Sequence, residues 1–90
     1  MPHFVIERNV PGLGSLKQAD LSAMTAKSNG VLADLGPEVQ WVHSYVTDDK
    51  MYCVYRAPSD VLVKEHARRG GFPADSVKRV HTVIDPTTAE

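Results

Sequence analysis

Within Gln40–Ala57, His43, Tyr45, Cys53 and Tyr55 bring together imidazole, phenol and thiol groups able to bind a metal or move a proton. Their spacing places them on strands. In QWVHSYVTDDKMYCVYRA, two runs rich in β-branched and aromatic residues flank Thr47-Asp48-Asp49-Lys50, a polar tetrapeptide suited to a tight turn, so the segment reads as a β-hairpin. Strand alternation puts Trp41, His43 and Tyr45 on one side of the first strand, with Gln40, Val42, Ser44 and Val46 on the other. In the second strand Met51, Cys53 and Tyr55 alternate with Tyr52, Val54 and Arg56. The turn length pairs Val46 with Met51, Ser44 with Cys53 and Val42 with Tyr55. A slip of one residue would bring His43 beside Cys53, and the pattern leaves that register open.

Two residues outside the hairpin complete the candidate set. Glu7 sits in an alternating N-terminal run, where a strand carboxylate denied full exposure needs a partner; His43 or His66 would serve. His66 lies in a helical segment near the line of Leu62 and Arg69. Each group also has a purely structural reading. Cys53 suits a small buried hydrophobe, His66 an ordinary helix histidine, and the tyrosines half-buried sheet residues. His3 and His81 read as surface or interface residues. HExxH, CxxC, Walker and GxGxxG patterns are absent.

The elements that must position these groups follow from periodicity. His3–Arg8 alternates as a first strand, and Val10-Pro-Gly-Leu-Gly breaks it. Ser15 with Gln18 has capping-box spacing, and Leu16, Leu21, Met24, Val31, Leu32 and Leu35 recur at helical intervals up to Gly36-Pro37. Asn29-Gly30 interrupts that pattern, as a soft spot in a continuous helix. After the hairpin, Ser59 caps a second helix that Gly70-Gly71-Phe72-Pro73 stops. Val77–Ile84 forms a last strand, and residues 86–90 are a polar tail. The order β-α-β-β-α-β, with right-handed crossovers, predicts a ferredoxin-like α+β domain over residues 1–90: a four-stranded antiparallel sheet with both helices on one face. Both sides of the strands carry large apolar groups (Phe4 and Ile6 against Val5, Met51 and Tyr55 against Tyr52 and Val54). Homodimerisation through the open sheet face is therefore expected.

Composition narrows the function. Ninety residues support one core. The single cysteine excludes an internal disulfide framework and suits a reducing, cytoplasmic setting. No apolar run approaches the ~20 residues of a membrane span, and MPHFVIERN lacks the basic and apolar regions of a signal peptide. Net charge is −1, with acidic residues interleaved among the basic clusters at Lys64–Arg69 and Lys78–Arg79, which argues against nucleic acid as a partner.

Over nearly its whole length the chain resembles a family of small bacterial proteins, often described as nickel-binding, that form ferredoxin-like homodimers. The resemblance rests on His43-Ser-Tyr45, the Tyr52-Cys53 pair, Ala57-Pro58 followed by a helix ending Glu65-His66-Ala67, and Gly71-Phe72-Pro73-Ala74. It implies that His43, Cys53 and His66 match positions of the same residue type in nickel-binding members. Two positions depart: Glu7 stands where a histidine is expected, and Phe72 where several members have histidine.

Two functions are compatible with these residues. In the first, Glu7, His43, Cys53 and His66 bind Ni²⁺, or Zn²⁺ or Cu²⁺, as a mixed carboxylate, imidazole and thiolate set. In the second, a small metal-free enzyme binds a small-molecule ligand between sheet and helices. There Glu7, His43 or His66 would act as general acid-base groups, and Tyr45 or Tyr55 would donate a hydrogen bond. Either way, Glu7, His43, Tyr45, Cys53 and His66 are expected to converge in one pocket.

Overall fold

The computed structural model describes Met1–Glu90. Strand β1 (His3–Asn9) leads to helix α1 (Gln18–Leu35), then to the hairpin strands β2 (Gln40–Val46) and β3 (Lys50–Arg56). Helix α2 (Asp60–Gly70) and strand β4 (Ser76–Arg79) follow, and a short 3₁₀ turn spans Pro86–Ala89. The sheet order is β2-β3-β1-β4 with every neighbouring pair antiparallel. This is the expected ferredoxin-like α+β arrangement.

Alternation along β1 decides what is inside. Phe4, Ile6 and Arg8 are buried, whereas His3, Val5 and Glu7 are only partly so. Antiparallel pairing hands the same side to β3, because Phe4 lies opposite Tyr55, Ile6 opposite Cys53 and Arg8 opposite Met51. Phe4, Ile6, Cys53 and Tyr55 form the core with Val39, Ala57 and Val63, and Leu32, Leu35 and Leu62 pack against it. Both helices thus cover one face.

Helix α1 begins two residues later than the capping pattern at Ser15 suggests, with Lys17 in place of Ser15 as N-cap. Leu13–Ser15 forms a 3₁₀ turn instead, and Asp20 Oδ2 accepts from the Lys17 N–H at the true start. The cause is tertiary. The loop after β1 is tied to the hairpin turn by Val10 N–H to Asp49 O at 2.8 Å, Gly14 N–H to Asp48 O at 2.8 Å and Gly12 N–H to Asp49 Oδ1 at 3.0 Å. The helix then runs unbroken through Asn29-Gly30. At the other end Ser59 is the N-cap of α2, though its hydroxyl makes no capping bond.

Strand β4 is shorter than the Val77–Ile84 expected. Val80 N–H still donates to His3 O at 2.8 Å, but His3 is the first residue of β1, and Pro2 before it turns its carbonyl to Ala57 N–H on the β3 side. The ladder runs out of partners, leaving Val83 and Ile84 exposed beyond it.

Gly30 is exposed, helical, and has open space where a Cβ would project. Gly30→Ala should therefore stabilise the fold by about 1 kcal/mol, because it removes a glycine from a helix interior. The change should raise the melting temperature by roughly 4–8 °C in a domain of this size. An unchanged or lower melting temperature would contradict a helix that is continuous but locally weak.

Candidate functional site

The five candidate residues do not converge. In the β2–β3 ladder, His43 lies opposite Val54 and Tyr45 opposite Tyr52, while Ser44 faces Cys53 and Val46 faces Met51. Tyr52 in turn lies opposite Glu7. Glu7, His43 and Tyr45 therefore share the open face of the sheet, and Cys53 and His66 lie on the helix side. The sheet itself separates them. No group of three or more His, Cys, Asp or Glu side chains comes together within the chain.

The hairpin register is the unslipped one, with a single irregularity between Trp41 and His43. Val42 is the extra residue, so Trp41 rather than Val42 lies opposite Tyr55. The bulge moves Trp41 to the helix side, away from His43 and Tyr45. There its indole N–H donates to Ser44 Oγ at 2.9 Å.

On the open face, the His43 and Tyr45 rings meet edge-on with centroids 5.0 Å apart. Glu7 pairs with Lys50 at 2.9 Å, not with a histidine. That contact raises the Lys50 pKa. At the sheet's end Arg56 Nε donates to His3 Nε2 at 3.0 Å. His43, Tyr45 and Arg56 are exposed, whereas Val5, Tyr52 and Val54 are half-buried.

On the helix side a cavity of about 190 Å³ opens between α1 and the sheet. Leu21, Met24, Trp41, Met51, Phe72 and neighbouring groups give it mainly apolar walls. Its polar lining includes Arg8, Ser28, Ser44 and Tyr55, with the Cys53 thiol also in the wall. Glu7 is on the opposite side of the sheet, so it cannot serve as a base for anything bound here.

Arg8 is the residue that the sequence reading passed over. It is only 4 % exposed, and none of the ion pairs in the structure includes it. Its guanidinium donates to Pro73 O and, at 3.3 Å, to the Tyr55 hydroxyl, and it lies 5.6 Å from the centre of the Phe72 ring. The signal was present: Arg8 continues the buried parity of Phe4 and Ile6. Ser28 is a second omission, a polar residue a helical turn beyond Met24 on the inward face of α1.

Phe72 reaches this position through the end of α2. Gly71 adopts a left-handed conformation (φ 68°), and Phe72 N–H donates back to Ala67 O at 2.9 Å, a Schellman closure. A Cβ on Gly70 would come within 2.1 Å of the Phe72 ring, so only glycine leaves room for it. The ring covers Arg8 and His66.

His66 is fully buried, its ring 5.2 Å from Tyr55 and 5.5 Å from Phe72. Nε2 is 3.1 Å from Ser28 Oγ, and Nδ1 has no hydrogen-bond partner. Burial, reinforced by the Arg8 charge, lowers its pKa below 6.5. Burial likewise raises the Tyr55 pKa, with Cys53 adding to the rise and Arg8 opposing it. Tyr55 is thus a neutral phenol that accepts from Arg8 and keeps its own proton to donate.

A four-stranded antiparallel sheet with two helices on one face, an open opposite face and a cavity beneath the first helix defines the chain as a small ferredoxin-like α+β protein. The sequence model of the SCO4226-like family, described as nickel responsive protein SCO4226-like, matches residues 4–80, and the chain belongs to that family. Among solved structures, SCO4226 from Streptomyces coelicolor A3(2) is similar, with a TM-score of 0.76 at 20 % identity over 91 % of this chain and 99 % of that one. No curated protein matches. No helix is long and apolar enough to cross a membrane.

The depressed His66 pKa has a thermodynamic consequence. Between that value and the unfolded 6.5, the unfolded chain binds the proton that the folded chain refuses. Stability should fall as pH drops through this window, by no more than ~1.4 kcal/mol per pH unit for one proton, and level off below it. Glu65, held at about 2 by Arg68 and Arg69, remains charged throughout. Urea denaturation at pH 7.5 and 5.0 should show the loss, and His66→Gln should reduce it. Equal losses in the two proteins would remove His66 as the cause.

Proposed function

We propose that this protein is a metal-binding homodimer taking part in a nickel response, and that its ion is held at the open sheet face between two copies. The observation that carries the reading is the division of donors by the sheet. One chain offers imidazole and carboxylate groups, His43 and Glu7, on an uncovered face that also carries half-buried Val5, Tyr52 and Val54. Those donor types suit Ni²⁺ and other borderline divalent ions.

A single chain does not fit a metal site by itself, because no three donors gather. A symmetric dimer through this face presents every donor near its axis twice and covers the apolar residues at the same time. His3, beside Arg56 at the end of the face, joins His43 and Glu7 as a donor in this reading. Cys53 and His66, on the helix side, are not part of the set. Metal binding of this kind weakens as pH falls and the imidazoles protonate. A single buried, unpaired cysteine suits work in the reducing cytoplasm.

Light scattering at micromolar concentration should give a dimer mass, and nickel titration of the purified protein should give saturable uptake. His43→Ala should weaken that uptake by about tenfold or more, equivalent to ~1.4 kcal/mol, and leave the dimer intact. A monomer mass, or unchanged uptake in the variant, would refute the reading.

A further inference from the structure

The cavity side of the sheet holds a feature that metal binding leaves unexplained: a buried guanidinium without a counter-ion. Burying an unpaired charge is costly, and the usual remedy is a carboxylate within ion-pair reach. Arg8 has none. A carbonyl, a phenol oxygen and an aromatic face contact it instead. Those contacts leave N–H groups of the guanidinium fork uncommitted. All the ion pairs of the molecule lie at partly or largely exposed side chains. The one buried cation stands in the wall of a cavity with mainly apolar lining.

We propose that this cavity is a binding site for a small monocarboxylate with an apolar body, its carboxylate held by Arg8 and the Tyr55 hydroxyl. The planar guanidinium matches the two oxygens of a carboxylate. The phenol, already accepting from Arg8, donates its own hydrogen to one of them. Ser28, reaching the same cavity from α1, adds a hydroxyl to its lining. Leu21, Met24, Trp41 and Met51 enclose the remainder of the ligand, and Phe72 closes the end beside Arg8. The volume sets the size. A cavity of ~150 Å³ holds benzene, so about 190 Å³ suits one ring or a short branched chain carrying the acid group.

Inorganic phosphate and acetate lack the apolar body that this lining selects, and a neutral amide lacks the charge that Arg8 selects. The inference is independent of metal binding, which is proposed for the opposite face of the sheet.

The test uses metal-free full-length protein, titrated with benzoate, phenylacetate and 4-methylpentanoate and followed by backbone amide chemical shifts. At least one should bind saturably with a Kd below ~1 mM. Its shifts should centre on β1, β3 and the Phe72 segment. The corresponding amide should bind about tenfold more weakly or worse, and acetate and phosphate should not saturate. Arg8→Met should lose the carboxylate preference. Leu21→Trp, which fills the cavity and leaves Arg8 in place, should abolish binding in a folded protein and guards against an Arg8 variant that fails to fold. Failure of all three acids to saturate overturns the proposal. So does equal binding of acid and amide, or binding that survives Leu21→Trp.

Discussion

Every side chain of a strand buried in the middle of a sheet must lie on one side or the other, and in this protein the alternation of β1 governs the rest. Phe4, Ile6 and Arg8 point toward the helices; His3, Val5 and Glu7 point away. The ladder passes that choice to β3 and then to β2, since directly paired residues share a side. The core, the cavity and the open face are all consequences of this single parity. It also divides the chemistry. Imidazole, phenol and carboxylate at positions 43, 45 and 7 lie on one surface, with thiol and imidazole at positions 53 and 66 on the other.

The electrostatics follow the same division. Away from the cavity, ion pairs at exposed positions join Lys64 with Asp60, and Glu65 with Arg68 and Arg69. Arg8 is different in kind. It is buried at a position where Leu or Val would complete the apolar parity of β1 at lower desolvation cost. The structure accommodates it through the end of α2, where Gly71 reverses the chain and brings the Pro73 carbonyl and the Phe72 ring onto the guanidinium. The second helix thus contributes to the cavity mainly through its terminus, and the fold tolerates a cation that its own carboxylates do not neutralise.

Much of the architecture is legible in residue spacing, because β-branched alternation, the Thr47–Lys50 turn and the glycine-bounded helices are local signals. Two of the three hairpin pairs follow from turn length alone. The third, at Tyr55, does not, since a bulge depends on how the strand twists over the core and leaves no local mark in Gln40–Tyr45. The start of α1 and the end of β4 were obscured for a related reason. Ser15 is drawn into a loop bonded to the hairpin turn, and Val83 and Ile84 have no neighbour once β1 has begun at His3. The candidate site suffered most. Bringing His43 to Cys53 required a one-residue slip, and in the unslipped register the sheet lies between His43 and the pair Cys53 and His66. Arg8 was overlooked although it continues the inward parity of Phe4 and Ile6.

The extra residue at Val42 bears on how this family can vary in length. Removing one residue from a regular strand ordinarily reverses every side chain beyond the gap and destroys the core. Here Trp41 lies opposite Tyr55 and His43 already lies opposite Val54, so a chain without Val42 would continue the ladder in phase, with both faces unchanged. The middle of β2, where an indel would normally be lethal, is thus a position at which evolution can gain or lose a codon without disturbing either surface. Relatives one residue shorter at this point belong in the same register, and an alignment that pushes their gap out into the Thr47–Lys50 turn would misassign His43.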